Sequence, residues 1–409
     1  MDKIKIAILG FGQRGFVYAN IIQAHQSEME LVAVCEINPV KKPLIMQMYN
    51  IAEENYYTDY KEMFKKGKIA DILVISTMDQ DHYHQAMEAL DLGYDIMLEK
   101  PIAVNKHEIT DIKDKANKLN RKVAVAHVLR YTPFYQKLKE IIDGDKIGKI
   151  MTLSQTEHVG YFHYAHSYVR GNWSKVETSA PMILAKSCHD LDIIQFLIGE
   201  KCEYLTSFGN LNYFKRENAP EGAADHCYKC QVDCPYNAVN FYKQNPMWMM
   251  IFSLKSDPEK VLSDENLRYG KCVYKLDNNV VDHQVVNMQF VGGATASFTM
   301  TAFSNETHRS IKIHGSKGEI EGDLEERKIT VKVYGKEVET IDVNLLTDDF
   351  SHHQGGDVKM FVDFVRNVKN KQPISGLTDI NNSVDSHFMA IDAETSRLKN
   401  GKIIHYIYE

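Results

Sequence analysis

Three glycines in Gly10-Phe11-Gly12-Gln13-Arg14-Gly15 stand between an apolar run and a stretch that reads as a helix. In a strand–turn–helix setting each has a task. The first permits a tight turn, the second lets the backbone approach a pyrophosphate, and the third lets helix and strand pack closely. The helix N-terminus then faces the phosphate charge. Glu36 closes the next apolar run, at the spacing of roughly twenty residues expected of an acid that accepts from a ribose 2′-hydroxyl and repels a 2′-phosphate. These residues predict an NAD site, with Lys41 and Lys42 keeping NADP open.

Such a site needs a frame. Residues 3–9 read as a buried strand, followed by a helix to about 24. Residues 30–35, 71–76, 94–98 and 122–128 read as further strands, with helices over 82–92 and 108–119. Strands spaced by helices of this length predict a parallel, doubly wound sheet whose ligands sit outside the carboxyl ends of the strands. That rule selects Gly10, Phe11, Gly12, Gln13, Arg14, Gly15, Glu36, Thr77, His82, Glu99, Lys100 and His127 as candidate cofactor-binding residues. From about 149 the pattern changes: 150–157, 285–290, 294–303, 311–314 and 329–333 alternate with period two, and few helices intervene. The expected fold class is α/β, with a Rossmann domain over 1–130. An α+β domain over 131–409 follows, built on a largely antiparallel open sheet, with a helix near 185–197 and C-terminal helices near 358–370 and 382–398.

A length of 409 residues exceeds one ordinary core. The apolar fraction of 44% and charged fraction of 25% are those of a globular chain. A net charge of −7 argues against nucleic acid as the main partner. No run approaches the ~20 apolar residues of a membrane span, and no apolar leader opens the chain, so a cytoplasmic protein is expected. The seven cysteines are then not expected to form a disulfide framework.

Glu99-Lys100-Pro101 ends the 94–98 strand, with Gly93 ahead of it and Thr77 and His82 forming a Thr-x4-His turn before the preceding helix. His127-Val128-Leu129-Arg130-Tyr131-Thr132-Pro133 leads out of the last strand, and Ile147-Gly148-Lys149-Ile150 marks a junction. On these motifs the chain resembles the Gfo/Idh/MocA family of sugar and inositol dehydrogenases over nearly its whole length. The resemblance implies a cis bond before Pro101, a carbohydrate substrate, and homo-oligomers, dimers or tetramers, formed through the second sheet. It also places catalysis on Lys100 and His189. Oxidising a carbinol requires the hydroxyl proton to leave with the hydride, and a lysine desolvated beside a positive nicotinamide gives up its own proton more readily than one in water. His189 falls at the family's catalytic histidine and suits acid–base work; the alternative is a satisfied core histidine. Ala185 stands one turn earlier, where the family usually carries aspartate. Lys186 and Asp192 are candidates to supply the missing charge, and Arg130 joins them as a candidate substrate residue.

Residues 157–173 are rich in His, Tyr and Arg. Aromatic faces stack on sugar rings while polar donors read hydroxyls, so Tyr161, His163, Tyr168, Arg170 and Trp173 are expected to form a substrate loop. An oligomer interface or core packing is the alternative. Cys227, Cys230 and Cys234 follow one another with Cys-x2-Cys-x3-Cys spacing in an insertion over about 213–276. With Cys272 as fourth ligand, or Cys202 or His226 in its place, they suggest a structural zinc site. The alternative is a set of unmetallated thiols.

Together these features predict an NAD-dependent oxidoreductase acting on a ring hydroxyl or ketone of a sugar, sugar acid or cyclitol. A second reading is a redox-assisted glycosidase or lyase that oxidises transiently, eliminates and re-reduces. A third is a sensor that binds NAD and sugar without turnover.

Overall fold

Apolar runs buried on both faces dictate the first sheet. In the computed structural model, which describes residues 3–253, 257–372 and 378–407, six strands pair in parallel. They are β1 (Ile4–Leu9), β2 (Met29–Cys35), β3 (Tyr56–Tyr57), β4 (Ile72–Ile75), β5 (Asp95–Leu98) and β6 (Val123–Val125), in the order β3-β2-β1-β4-β5-β6. All four residues of β4 are buried, as are the last four of β1, because helices cover such a sheet on both sides. The strand order reverses between β1 and β4, and the crevice there is where a doubly wound sheet takes its ligand.

The second sheet has nine strands: β7 (Ile150–Gly160), β8 (Cys202–Asn210), β9 (His283–Phe290), β10 (Thr295–Ser304), β11 (His308–Gly315), β12 (Gly318–Asp323), β13 (Lys328–Val333), β14 (Glu339–Asp342) and β15 (Ile404–His405). Their order is β14-β13-β12-β11-β7-β10-β9-β8-β15. Apart from the parallel β7–β10 pair, the registered neighbours run antiparallel. On β10 the alternation is plain: Ala296, Phe298, Met300 and Ala302 are buried, while Thr295 and Thr299 on the opposite face are exposed. The fold is thus the α/β architecture expected, a parallel Rossmann sheet and a mostly antiparallel second sheet.

The chain divides into two compact units, Met1–Asp145 with Leu191–Gly199 and Asp342–Ile391, and Lys146–Asp190 with Glu200–Ile341 and Asp392–Glu409. In the first unit the C-terminal segment returns to the parallel sheet, where the Val125 amide donates to the Thr378 carbonyl at 2.8 Å. In the second unit, residues 157–173 are not an open loop. A short helix, Tyr161–Tyr164, runs into a π-helical stretch, Ala165–Arg170, all of it buried. The cysteine-bearing insertion packs its own small core of Ala238, Val239, Tyr242, Met249 and Leu262 against Phe162. Among the described residues no helix is long and apolar enough to cross a membrane.

Candidate active site

The glycine turn shows a tight turn and close packing at its first and third glycines and open space at its second. Gly10 has φ +82°, and a Cβ there would stand 2.5 Å from the Ser76 carbonyl oxygen. A Cβ on Gly15 would stand 2.2 Å from the Gly10 oxygen, inside the strand–helix packing, whereas one on Gly12 would meet nothing within 4 Å. The helix Gln13–Ala24 begins at Gly12 with no side-chain cap and no acid in its first turn. Open space, uncapped amides and the dipole end of a helix suit a pyrophosphate, so the residues present fit a dinucleotide. Glu36, 5% exposed, accepts from the Phe11 amide at 2.9 Å and the Asn38 amide at 2.8 Å, with Lys41 Nζ at 3.2 Å. It clamps the turn as well as offering a carboxylate at the tip of β2.

Two other expected cofactor residues bind each other. Arg14 Nε donates to Glu99 at 2.5 Å, its Nη2 donates to Asp357 at 2.6 Å, and the Tyr18 hydroxyl donates to Glu99 at 2.7 Å. Burial would raise the Asp357 carboxyl, but Arg14 and His353 outweigh it and hold it well below the usual range. Glu99 precedes Lys100, and the Lys100–Pro101 bond is cis. His82 Nδ1 donates to the Pro101 carbonyl at 2.7 Å, and Thr77 donates to Gln85 at 2.6 Å. Lys100 itself is half-buried. His127 is fully buried, with Nε2 3.5 Å from Asp192; burial, then Arg130 and Lys100, push its pKa well down. Arg130 and Asp192 form a bidentate pair at 2.7 and 2.6 Å, which commits both to each other.

In the second unit a buried ionic group includes Lys186 and Asp190, which stand on either side of His189 in sequence. Glu157, fully buried on β7, lies 3.1 Å from Lys186 Nζ and 2.6 Å from Arg309. Burial would raise its pKa, but Arg309 and Lys186 hold it below the ordinary range. Asp190 accepts from Arg309 at 2.9 Å and from Gln155 at 2.8 Å; burial, against Arg309 and with Glu157, raises its pKa. His189 is 7% exposed. The sequence reading missed Glu157, Arg309 and Asp357. Glu157 had a signal: it falls in the buried phase of β7 with Leu153 and Gln155, where a charge demands partners.

The aromatic stretch separates into two sets. His163 lies 6.2 Å from the Tyr168 ring, Tyr168 lies 6.5 Å from Trp173, and Tyr161 sits edge-on to Tyr236. Arg170 is instead 1% exposed and serves the insertion, donating to the Lys271 carbonyl at 2.9 Å, the Tyr236 carbonyl at 2.7 Å and Cys227 Sγ at 3.4 Å. The expected zinc site finds no support here. Cys227, Cys230, Cys234 and Cys272 do line one small cavity, but Arg170 lines it too. Among the described residues no group of three or more His, Cys, Asp or Glu is placed to hold a metal ion. Arg170 donates to the Cys227 sulfur, and burial raises the Cys234 and Cys272 thiols, against which the Arg170 charge lowers them.

Comparison with known proteins agrees with this geometry. Residues 4–127 match the profile described as "Oxidoreductase family, NAD-binding Rossmann fold", and residues 139–383 match its partner, "Oxidoreductase family, C-terminal alpha/beta domain". The putative oxidoreductase YteT of Bacillus subtilis is 25% identical over 272 residues, 64% of this chain and 62% of that protein. An inositol 2-dehydrogenase/D-chiro-inositol 3-dehydrogenase of Lactiplantibacillus plantarum is 26% identical over 199 residues, 48% of this chain and 53% of the relative. The match thus spans between half and two thirds of these relatives' lengths. In fold, the chain is similar to an inositol dehydrogenase homologue from Azotobacter vinelandii solved with NAD+, with TM-score 0.72, 16% identity, and coverage of 99% of this chain and 98% of that one.

Proposed function

Because the chain belongs to the Gfo/Idh/MocA oxidoreductase family, we propose that it is an NAD-dependent dehydrogenase acting on a ring hydroxyl of a sugar, sugar acid or cyclitol. One observation carries the reading. Arg14, on the helix that follows the glycine turn, clamps Glu99, the residue before Lys100. The dinucleotide turn and the candidate lysine therefore belong to one rigid construction, as a preorganised site requires.

When bound, the dinucleotide supplies the hydride acceptor. The chain's own residues manage the proton. Lys100 Nζ takes it from the substrate hydroxyl, or holds that oxygen when already protonated. His189 is the second acid–base group. Lys186, anchored on Glu157, provides fixed charge near the position where the family usually has aspartate. Tyr161, His163, Tyr168 and Trp173 are the proposed sugar-facing set. The cyclic polyols named for the relatives support a ring carbinol as the substrate class.

The test is an anaerobic screen of NAD+ and NADP+ reduction with sugars, uronates, inositols and glycosides, with products analysed in parallel. Net NADH formation is expected, with Lys100→Ala lowering kcat by about 10²–10⁴. Glycoside cleavage that depends on NAD+ without NADH accumulation would overturn the reading in favour of a redox-assisted lyase. Binding of NAD+ and sugar without turnover would overturn it in favour of a sensor.

A further inference from the structure

The Lys100 turn is held from several sides, and one support comes from far along the chain. The Glu99 amide donates to the Ile75 carbonyl at 2.9 Å, which continues the sheet. The Glu99 carboxylate is fixed by Arg14 and Tyr18. The Pro101 carbonyl accepts from His82. The next peptide belongs to Ile102, whose amide donates to Nε2 of His387 at 3.1 Å. His387 lies on the helix Ile380–Leu398 and is fully buried.

We propose that His387 is a positioning residue: its Nε2 lone pair holds the Ile102 amide and, through it, the turn that presents Lys100. This rests on the reading of Lys100 as the proton acceptor.

The hydrogen bonds fix the imidazole's form. His387 Nδ1 stands 2.8 Å from the Ser383 carbonyl, so it carries the hydrogen and donates there. Nε2 must then be the acceptor for the Ile102 N–H. A protonated ring would set N–H against N–H. The surroundings keep it neutral: burial, then the edge-on His127 ring 5.2 Å away, lower its pKa to about 3 despite Asp192. Lys100 also lowers it, so the lysine's charge is felt at this ring. A helical histidine can satisfy one ring nitrogen on the carbonyl one turn back in its own helix. This one satisfies one nitrogen that way and turns the other on the backbone two residues past the candidate lysine.

The experiment reads Lys100 directly in the full-length protein. Trace acetylation by acetic anhydride, quantified at Lys100 by mass spectrometry across pH and normalised to exposed Lys65, reports the environment of its amine. Wild type, His387→Gln, His387→Asn and His387→Leu are compared. A glutamine oxygen reaches the Nε2 position and can accept from Ile102, whereas an asparagine oxygen reaches only the Nδ1 position. His387→Asn and His387→Leu are expected to change Lys100 labelling by about tenfold, the effect of one unit in an amine's pKa, while His387→Gln stays near wild type. If His387→Leu fails to fold, the Asn–Gln comparison carries the test. Equal Lys100 labelling in all the folded variants overturns the proposal, whatever their melting temperatures. The reading it rests on fails separately: Lys100→Ala would then turn over like wild type in the screen while the labelling differences persist.

Discussion

At the residue scale, Glu36 does two things with one carboxylate. Its place after β2 marks it as a reader of ribose hydroxyls, and the sequence shows that much. What the sequence does not show is that the same carboxylate already accepts from the Phe11 and Asn38 amides. Removing it costs charge-assisted bonds worth about 1.5–3 kcal/mol each. Glu36→Ala is therefore expected to weaken NAD+ binding by about tenfold or more and to narrow the preference over NADP+, as measured by calorimetric titration of both dinucleotides. An unchanged NAD+ affinity would show that the carboxylate serves the turn alone. The glycines were legible because part of their constraint is local: a positive φ at Gly10 and the close approach of Gly15 to the Gly10 carbonyl lie within one turn, while the approach of Gly10 to Ser76 does not. His387, Asp357 and Arg309 were not, because each acts on a partner distant in sequence, and nothing in a helix pattern says which backbone amide an imidazole will meet.

At the element scale, alternation made the central strands readable. The 294–303 run became β10, and the 285–290 run became the end of β9. β12 stayed hidden because its glycines and acids look like turn chemistry, and only its pairing between β11 and β13 makes it a strand. The cysteine insertion was legible only in part. Its spacing looks like a metal chelate, and the four cysteines do line one cavity, but so does a buried arginine that the spacing does not announce. Arg170 leaves the π-helical stretch and donates to backbone at two places within the insertion, at Tyr236 and Lys271. A wider helical turn at 165–170 shifts the side chains that follow it, which a sequence read as a loop cannot reveal. Arg170→Met would leave those carbonyls without their donor in a dry site, at about 1–3 kcal/mol each. Loss of melting temperature together with faster proteolysis within 213–276 is expected. A variant as resistant as wild type would show that the aromatic core of the insertion holds without the guanidinium.

At the scale of the whole molecule, the buried imidazoles set an acid limit. His127, His166 and His387 are all held below the ordinary histidine range, chiefly by burial, the latter two to about 3. In the unfolded chain each titrates near 6.5. Their folded pKa values are depressed, so above about pH 6.5 both states carry neutral rings and folding loses nothing. As pH falls below that, the unfolded chain takes up protons that the folded one refuses. Stability then declines by up to about 1.4 kcal/mol per pH unit for each histidine until the folded pKa is reached. The carboxylates held low by ion pairs, such as Asp357, add their losses only at more acid pH, since their unfolded values lie near 4. Melting temperature is thus expected to be level from pH 8 to 7 and to fall steadily between about pH 6.5 and 4.5, before carboxylate protonation dominates. His387→Gln removes one titrating ring and keeps the acceptor for Ile102, so its decline should be shallower than that of wild type. A curve equally flat for both proteins down to pH 5 would mean that these rings take up protons in the folded state, and the neutral form that His387 needs to hold the Lys100 turn would be lost with them.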